Sequence, residues 1–202
     1  MNALWIWLGA ALLYAAFRLW YDNWRGKIRA DEIERFLTAA PGMPGAEGND
    51  VDTLRRFLEA DDGREFYMLN LVRLAPGDVP HPTTGAPTRA VTLMRQYIRG
   101  FLPVLIRHGG HPALQAKKIG GYCDAWNVPP DPGWSFVGMM RYRSRRDMVE
   151  LAMDPRFLAA HPFKFSAIPV TASFPTAPSF ALLLGPRIWV GLVLALGAAL
   201  LT

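Results

Sequence analysis

An α+β fold, an antiparallel sheet carrying two helices on one face and flanked by membrane helices, is what this sequence predicts. Three observations carry the prediction. Apolar runs bounded by turn signals alternate with stretches of helical spacing in the order strand, helix, strand, strand, helix, strand; residues 3–17 form an uncharged apolar stretch; and residues 180–202 form a second one. With 202 residues, the chain has room for one ordinary domain plus additions.

Along the chain, "ALWIWLGAALLYAAF" at residues 3–17 has no charge, and Leu19, Trp20 and Tyr21 extend it past Arg18. About 20 helical residues at ~1.5 Å each cover a ~30 Å hydrocarbon core. Trp5 and Trp7 near one end, with Trp20, Tyr21 and Trp24 near the other, are placed as interfacial anchors. A cleaved signal peptide fits less well, because the basic residues Arg18, Arg25, Lys27 and Arg29 follow the apolar run instead of preceding it. Those charges predict that the N-terminus points outward. At the other end, Gly185, Pro186 and Arg187 interrupt the apolar segment. Ile188 to Thr202 alone reaches about 22 Å, so a full crossing needs Phe180 to Leu184 as well. Pro186 is expected in the first helical turn, with Arg187 at the membrane surface. Trp189 adds a second interfacial anchor, and Gly191, Ala195 and Ala199 make a small-residue stripe suited to close helix contact, with Ala11 and Ala15 of the first helix or with another protein. If both ends cross, both termini lie outside and the centre is cytoplasmic, at an inner (plasma) membrane. The first helix (1–25) is then followed by a helical linker (26–63), the central domain (64–176) and the C-terminal helix (180–202).

Within the centre, Ile33, Phe36 and Leu37 have helical spacing, and that helix is expected to continue the membrane helix. Pro41 to Asn49 breaks it, and a short helix with Leu54, Phe57 and Leu58 on one face follows. Glu65 to Leu74 is apolar at nearly every position, as a strand buried on both faces would be. "APGDVPHPTTGAP" is a loop; Thr88 to His108 is a long helix with Pro103 inside it; residues 111–122 and Trp134 to Arg143 supply two strands. Ser144 and Asp147 are set to cap a second helix, interrupted by a turn at Asp154 and Pro155, and "IPVTASF" closes the sheet. This order is the split βαβ, ferredoxin-like arrangement. Because Tyr67, Leu69 and Leu71 are apolar opposite Phe66, Met68 and Val72, both sheet faces need cover, and a partner sheet is the expected one.

"FYMLNLVRL", "YIRGFLPVLIRHGGHPAL" and "WSFVGMMRYRSRRDMVELAMDPRFLAAHPFKFSAI" together resemble the dimeric α/β-barrel superfamily, in particular its small uncharacterised relatives of antibiotic-biosynthesis-type monooxygenases. The resemblance covers roughly Glu65 to Thr176. It implies two subunits packed sheet on sheet, a pocket in each, and a flat apolar ring compound or quinone as substrate without a cofactor. Neither membrane segment belongs to that family's usual pattern.

Candidate chemistry is sparse. The net charge of +5 and pI near 9.7 invite a nucleic-acid reading, but no basic stripe carries interleaved aromatics, and nucleic acid is not an expected partner. Cys123 is the single cysteine, which excludes an intrachain disulfide and a multi-cysteine metal site. His108 and His111 flank Gly109 and Gly110, where a long helix ends. A pair divided by a helix end lacks the one-turn spacing of metal-binding histidines, so the glycines read as a helix stop and no metal is expected. The candidate catalytic set is His108, Tyr97, Asn70 and Tyr142, converging between helix and sheet: histidine to move a proton, asparagine to hold a carbonyl oxygen. The alternative is that both tyrosines are core aromatics and Asn70 fixes the strand. Two functions follow as expectations: a membrane-anchored accessory or assembly subunit of a membrane complex, or a membrane-tethered monooxygenase or isomerase that needs no cofactor. The partners expected are the bilayer, integral membrane proteins or a second copy of the chain, and a hydrophobic small molecule.

Overall fold

The structure, a computed structural model, describes residues 2–42, 50–179 and 185–202. It divides into two compact units, one of residues Gly26–Ala177 and one made of Met1–Arg25 with Pro178–Thr202.

In the larger unit, strand β1 (Phe66–Arg73) is followed by a short hairpin, β2 (Asp78–Pro80) and β3 (Pro87–Arg89), and helix α4 (Ala90–Arg107). Strands β4 (His111–Lys117) and β5 (Phe136–Tyr142), helices α5 (Arg145–Ala152) and α6 (Pro155–Ala167), and strand β6 (Val170–Thr176) complete it. The four long strands pair antiparallel in the order β4-β5-β1-β6, which is the ferredoxin-like order. The proline-rich stretch after β1, expected to be a loop, forms the hairpin, with His81 closing the turn by bonding Ala86 and Gly85. Alternation along β1 directs Phe66, Met68 and Val72 into the helix-covered core, where Phe66 stacks on Tyr142 opposite it in β5. Helix α4 supplies Leu93, Tyr97, Phe101, Val104 and Leu105 from one face. It lies close against α6: a Cβ on Gly100 would come within 2.6 Å of the Ala160 methyl.

The anticipated continuation of the first helix into the 26–40 segment is corrected by the structure. Helix α1 (Ala3–Tyr21) ends at Asp22, and α2 (Ala30–Ala39) starts afresh, because Gly26 takes a left-handed φ of 71° and Glu32 reaches back to the Arg29 amide in a capping box. Nor is residue range 26–63 a separate linker. Ile33, Phe36 and Leu37 of α2 and Leu58 of α3 (Val51–Glu59) form one cluster with Val149 of α5. Two arginines that open α5 bind this segment: Arg146 bonds Glu32 and the carbonyl of Gly26, and Arg145 bonds the carbonyl of Phe57 and lies 3.6 Å from Asp61. Asp61 in turn accepts from the Ile28 amide at 2.7 Å. Residues 43–49, within the expected break, lie outside the described residues.

In the smaller unit, α1 is long and apolar enough to span a membrane or to serve as a signal sequence, and it packs on α7 (Pro186–Leu200). Pro186 stands in the first turn of α7, as its sequence position predicts. Arg187 pairs with Asp22 at 2.7 Å and lies over the Tyr21 ring, and its carbonyl accepts from the Tyr14 hydroxyl at 2.9 Å. Gly191 faces Tyr14 closely enough that a Cβ there would be 3.4 Å from the ring. At 15 residues, α7 is about 22 Å long, short of a ~30 Å core. Residues 180–184, which a second crossing would need, lie outside the described residues.

Candidate functional site: a cavity between helices and sheet

Between α4, α6 and the inner sheet face lies a cavity of about 210 Å³. Its floor exists because Gly138 stands opposite Asn70 in the β1–β5 register, leaving a place on the inner face with no side chain. Apolar walls come from residues such as Met94, Ile98 and Phe101 of α4, Phe157 of α6, and Met68 and Met140 of the sheet.

Three of the four candidate residues meet here. Asn70, Tyr97 and Tyr142 all line the cavity; His108 does not. Asn70 has its amide taken up by the sheet. Its Nδ2 donates to the carbonyls of Met68 (2.9 Å) and Gly138 (3.3 Å), and its Oδ1 accepts from Ser173 Oγ at 2.8 Å. Its donors therefore serve the strands, which is the structural role weighed for it above, and leave none for a substrate carbonyl. Tyr97 and Tyr142 differ: neither hydroxyl bonds to another described residue. Burial raises both phenols well above the ordinary tyrosine value, so they stay protonated and act as donors.

His108 caps the C-terminus of α4, and the two glycines after it stop the helix in a Schellman motif. Gly109, at φ 71°, bonds the Ile106 carbonyl at 2.9 Å and Gly110 bonds that of Leu105 at 2.9 Å. The His108 Nδ1 sits 3.5 Å from Glu150 on α5. His108, Asp147 and Glu150 together place ligand atoms within 4.8 Å of one another, a grouping not evident from the spacing of the histidines. The Asp147 oxygens, however, already accept from the Arg143 guanidinium and Ser144 Oγ. That fixed positive charge opposes a metal ion, and the cluster reads as the cap of α5. His111 opens β4, and burial lowers its pKa.

Sequence reasoning missed Lys164. It lines the cavity from α6, one turn after Ala160 and two after Phe157 on the same face. Burial pulls its pKa below the usual lysine value, and its Nζ lies 5.8 Å from the centre of the Tyr97 ring. It forms no ion pair among the described residues. Neighbouring His161 packs edge-on against Phe157 (4.2 Å between centroids), and burial, with the Lys164 charge second, lowers its pKa to about 4. A lysine at helical spacing among Phe157, Ala160 and Ile168 was a readable signal. The sequence presents this segment as one interrupted helix, whereas Asp154 caps a separate helix by accepting from the Arg156 amide.

No protein-family model matches the chain, and no curated protein does either. Among solved structures, it is similar to RPA0582 of Rhodopseudomonas palustris, a protein of unknown function: 26% identity, TM-score 0.54, covering 66% of this chain and 96% of that one. Methylated RPA0582 matches at 25% identity and TM-score 0.54, over 68% and 94% of the two chains. A dimeric protein of unknown function and ferredoxin-like fold from Bacteroides fragilis NCTC 9343 matches at 14% identity and TM-score 0.36, over 56% of this chain and 96% of that one, a score too low to bear on function. The resemblance to uncharacterised proteins is thus met at the level of fold.

Proposed function

We propose that this chain is a membrane-tethered binding protein for a small apolar ring compound, paired through its open sheet face with a second copy of itself. The cavity carries the reading: a partly open concave space walled mainly by aromatic and aliphatic side chains, with several polar groups among them, is the ordinary form of a small-molecule site. An apolar cavity of roughly 150 Å³ accepts benzene, so about 210 Å³ suits a substituted ring or a compact two-ring compound. Its lining holds neither a carboxylate nor a histidine; its titratable groups are Tyr97, Tyr142 and Lys164, which can donate hydrogen bonds to a ligand.

Pairing is supported by the other sheet face, where Leu114, Met139, Leu69 and Phe174 stand in one cross-strand row, with Leu114 and Phe174 49% and 46% exposed. Tethering is supported by α1, whose apolar surface is exposed along its length. In the two-pass form of this reading both termini lie outside and the larger unit is cytoplasmic.

The accessory-subunit reading rests on one specific observation, the exposed apolar sides of α1 and α7, which suit integral membrane partners. Native-gel migration of gently solubilised membranes separates the two readings. A dimer-sized band whose melting point rises with 1,4-naphthoquinone supports the binding protein, and co-migration with a large complex, with no response to the quinone, supports the subunit.

A further inference from the structure

We propose that Lys164, with the hydroxyls of Tyr97 and Tyr142, holds the anionic oxygen of an aromatic ligand, so that the cavity selects aromatic carboxylates and related oxyanions over neutral rings. The inference rests on the binding reading above and gives its ligand a chemical class.

Six of the cavity's lining side chains are polar, Asn70, Tyr97, Tyr142, Lys164, Thr171 and Ser173, and a ligand can use each only if the protein has not already done so; among these, Asn70, Ser173 and Thr171 serve the sheet. Ser173 Oγ donates to Asn70, and Thr171 Oγ1 donates to the Leu71 carbonyl at 2.9 Å. The groups left without a hydrogen-bond partner among the described residues are two phenol hydroxyls and one ammonium. An ammonium can only donate, and phenols kept protonated by burial donate as well. A neutral hydrocarbon would leave all three unsatisfied, which is costly in a desolvated site. A carboxylate or enolate oxygen takes all of them and supplies the counter-charge that Lys164 lacks, while the ring lies among Met94, Ile98, Phe101 and Phe157.

The position of Lys164 reinforces this. On α6 it shares a face with Phe157 and Ile168, where apolar side chains are the rule, and a cation on such a face is destabilising unless something offsets it. The nearby His161 cannot supply that offset, since it carries no charge when neutral and would be a second cation when protonated. Substitution of Lys164 by methionine, similar in length and uncharged, is therefore expected to leave the ligand-free protein at least as resistant to heat as before.

Equilibrium dialysis of the full chain in detergent micelles, with empty micelles as the blank, tests the proposal with 2-naphthoate and its neutral counterpart 2-naphthamide. The expected result is at least tenfold tighter binding of the carboxylate, a ratio that falls to about one in Lys164→Met with the amide's affinity unchanged. Gly138→Leu, which fills the cavity floor, is expected to abolish binding of both compounds. Equal affinities in the unaltered chain, a preference that survives Lys164→Met, or binding untouched by Gly138→Leu overturns the inference and leaves the general binding reading standing. If neither compound binds the unaltered chain, the binding reading fails and this inference fails with it.

Discussion

Arg141 shows at the residue scale how a charge is held in this core. It is fully buried, its Nε bonds Glu65 at 3.0 Å, and its Nη1 bonds the Gly109 carbonyl at 2.5 Å. Guanidinium geometry lets one side chain join the start of β1, the end of α4 and β5. Removing the carboxylate with Glu65→Ala leaves the cation uncompensated, and chemical denaturation is expected to show a loss of about 3 kcal/mol. His161 gives a pH dependence. Burial holds its folded pKa near 4, below the ordinary value of 6.5, so the unfolded chain binds the extra proton between those values. The stability this contributes is whole above about pH 6.5 and drains away as pH falls toward 4. His161→Phe is expected to flatten part of that slope in melting curves, with His111, also lowered by burial, accounting for a remainder.

Helix contacts at the element scale depend on two glycines for different reasons. Gly100 allows α4 and α6 to approach, and Gly100→Ala places a methyl 2.6 Å from that of Ala160. The expected cost is roughly 1–3 kcal/mol of overpacking, recovered in large part by the compensating Ala160→Gly. If the double variant melts no higher than the single one, the contact is not what Gly100 serves. Gly109 instead supplies a left-handed backbone at the end of α4, and Gly109→Ala is expected to cost about 1 kcal/mol through backbone strain. Where an element ends was legible from such residues: Gly109 after α4, Ser144 before α5, and Asp154 with Pro155 between α5 and α6 all mark boundaries the structure has. The β2–β3 hairpin was not legible, because its strands are three residues long and proline-rich, too short for alternation to show.

For the whole molecule, the open sheet face and the apolar α1 give the properties most easily measured. Leu69→Arg puts a charge in the middle of the exposed row, and size-exclusion in mild detergent is expected to show dimers giving way to monomers while melting of the monomer changes little. The sheet's four strands and helix α4 followed from apolar runs and helical spacing, and the sense of each strand followed from the order of elements in the split βαβ arrangement. So did Tyr97 and Tyr142 as members of one interior. What the tertiary structure alone decided was which polar groups keep a free valence. Asn70, a candidate from its position, is consumed by its neighbours on β5 and β6; His108 turns away to Glu150; and Lys164 comes to face the cavity from α6, far along the chain from Tyr97 on α4. A hydrogen bond is formed with whatever chain lies alongside, and sequence spacing records only the chain's own period, not its neighbours.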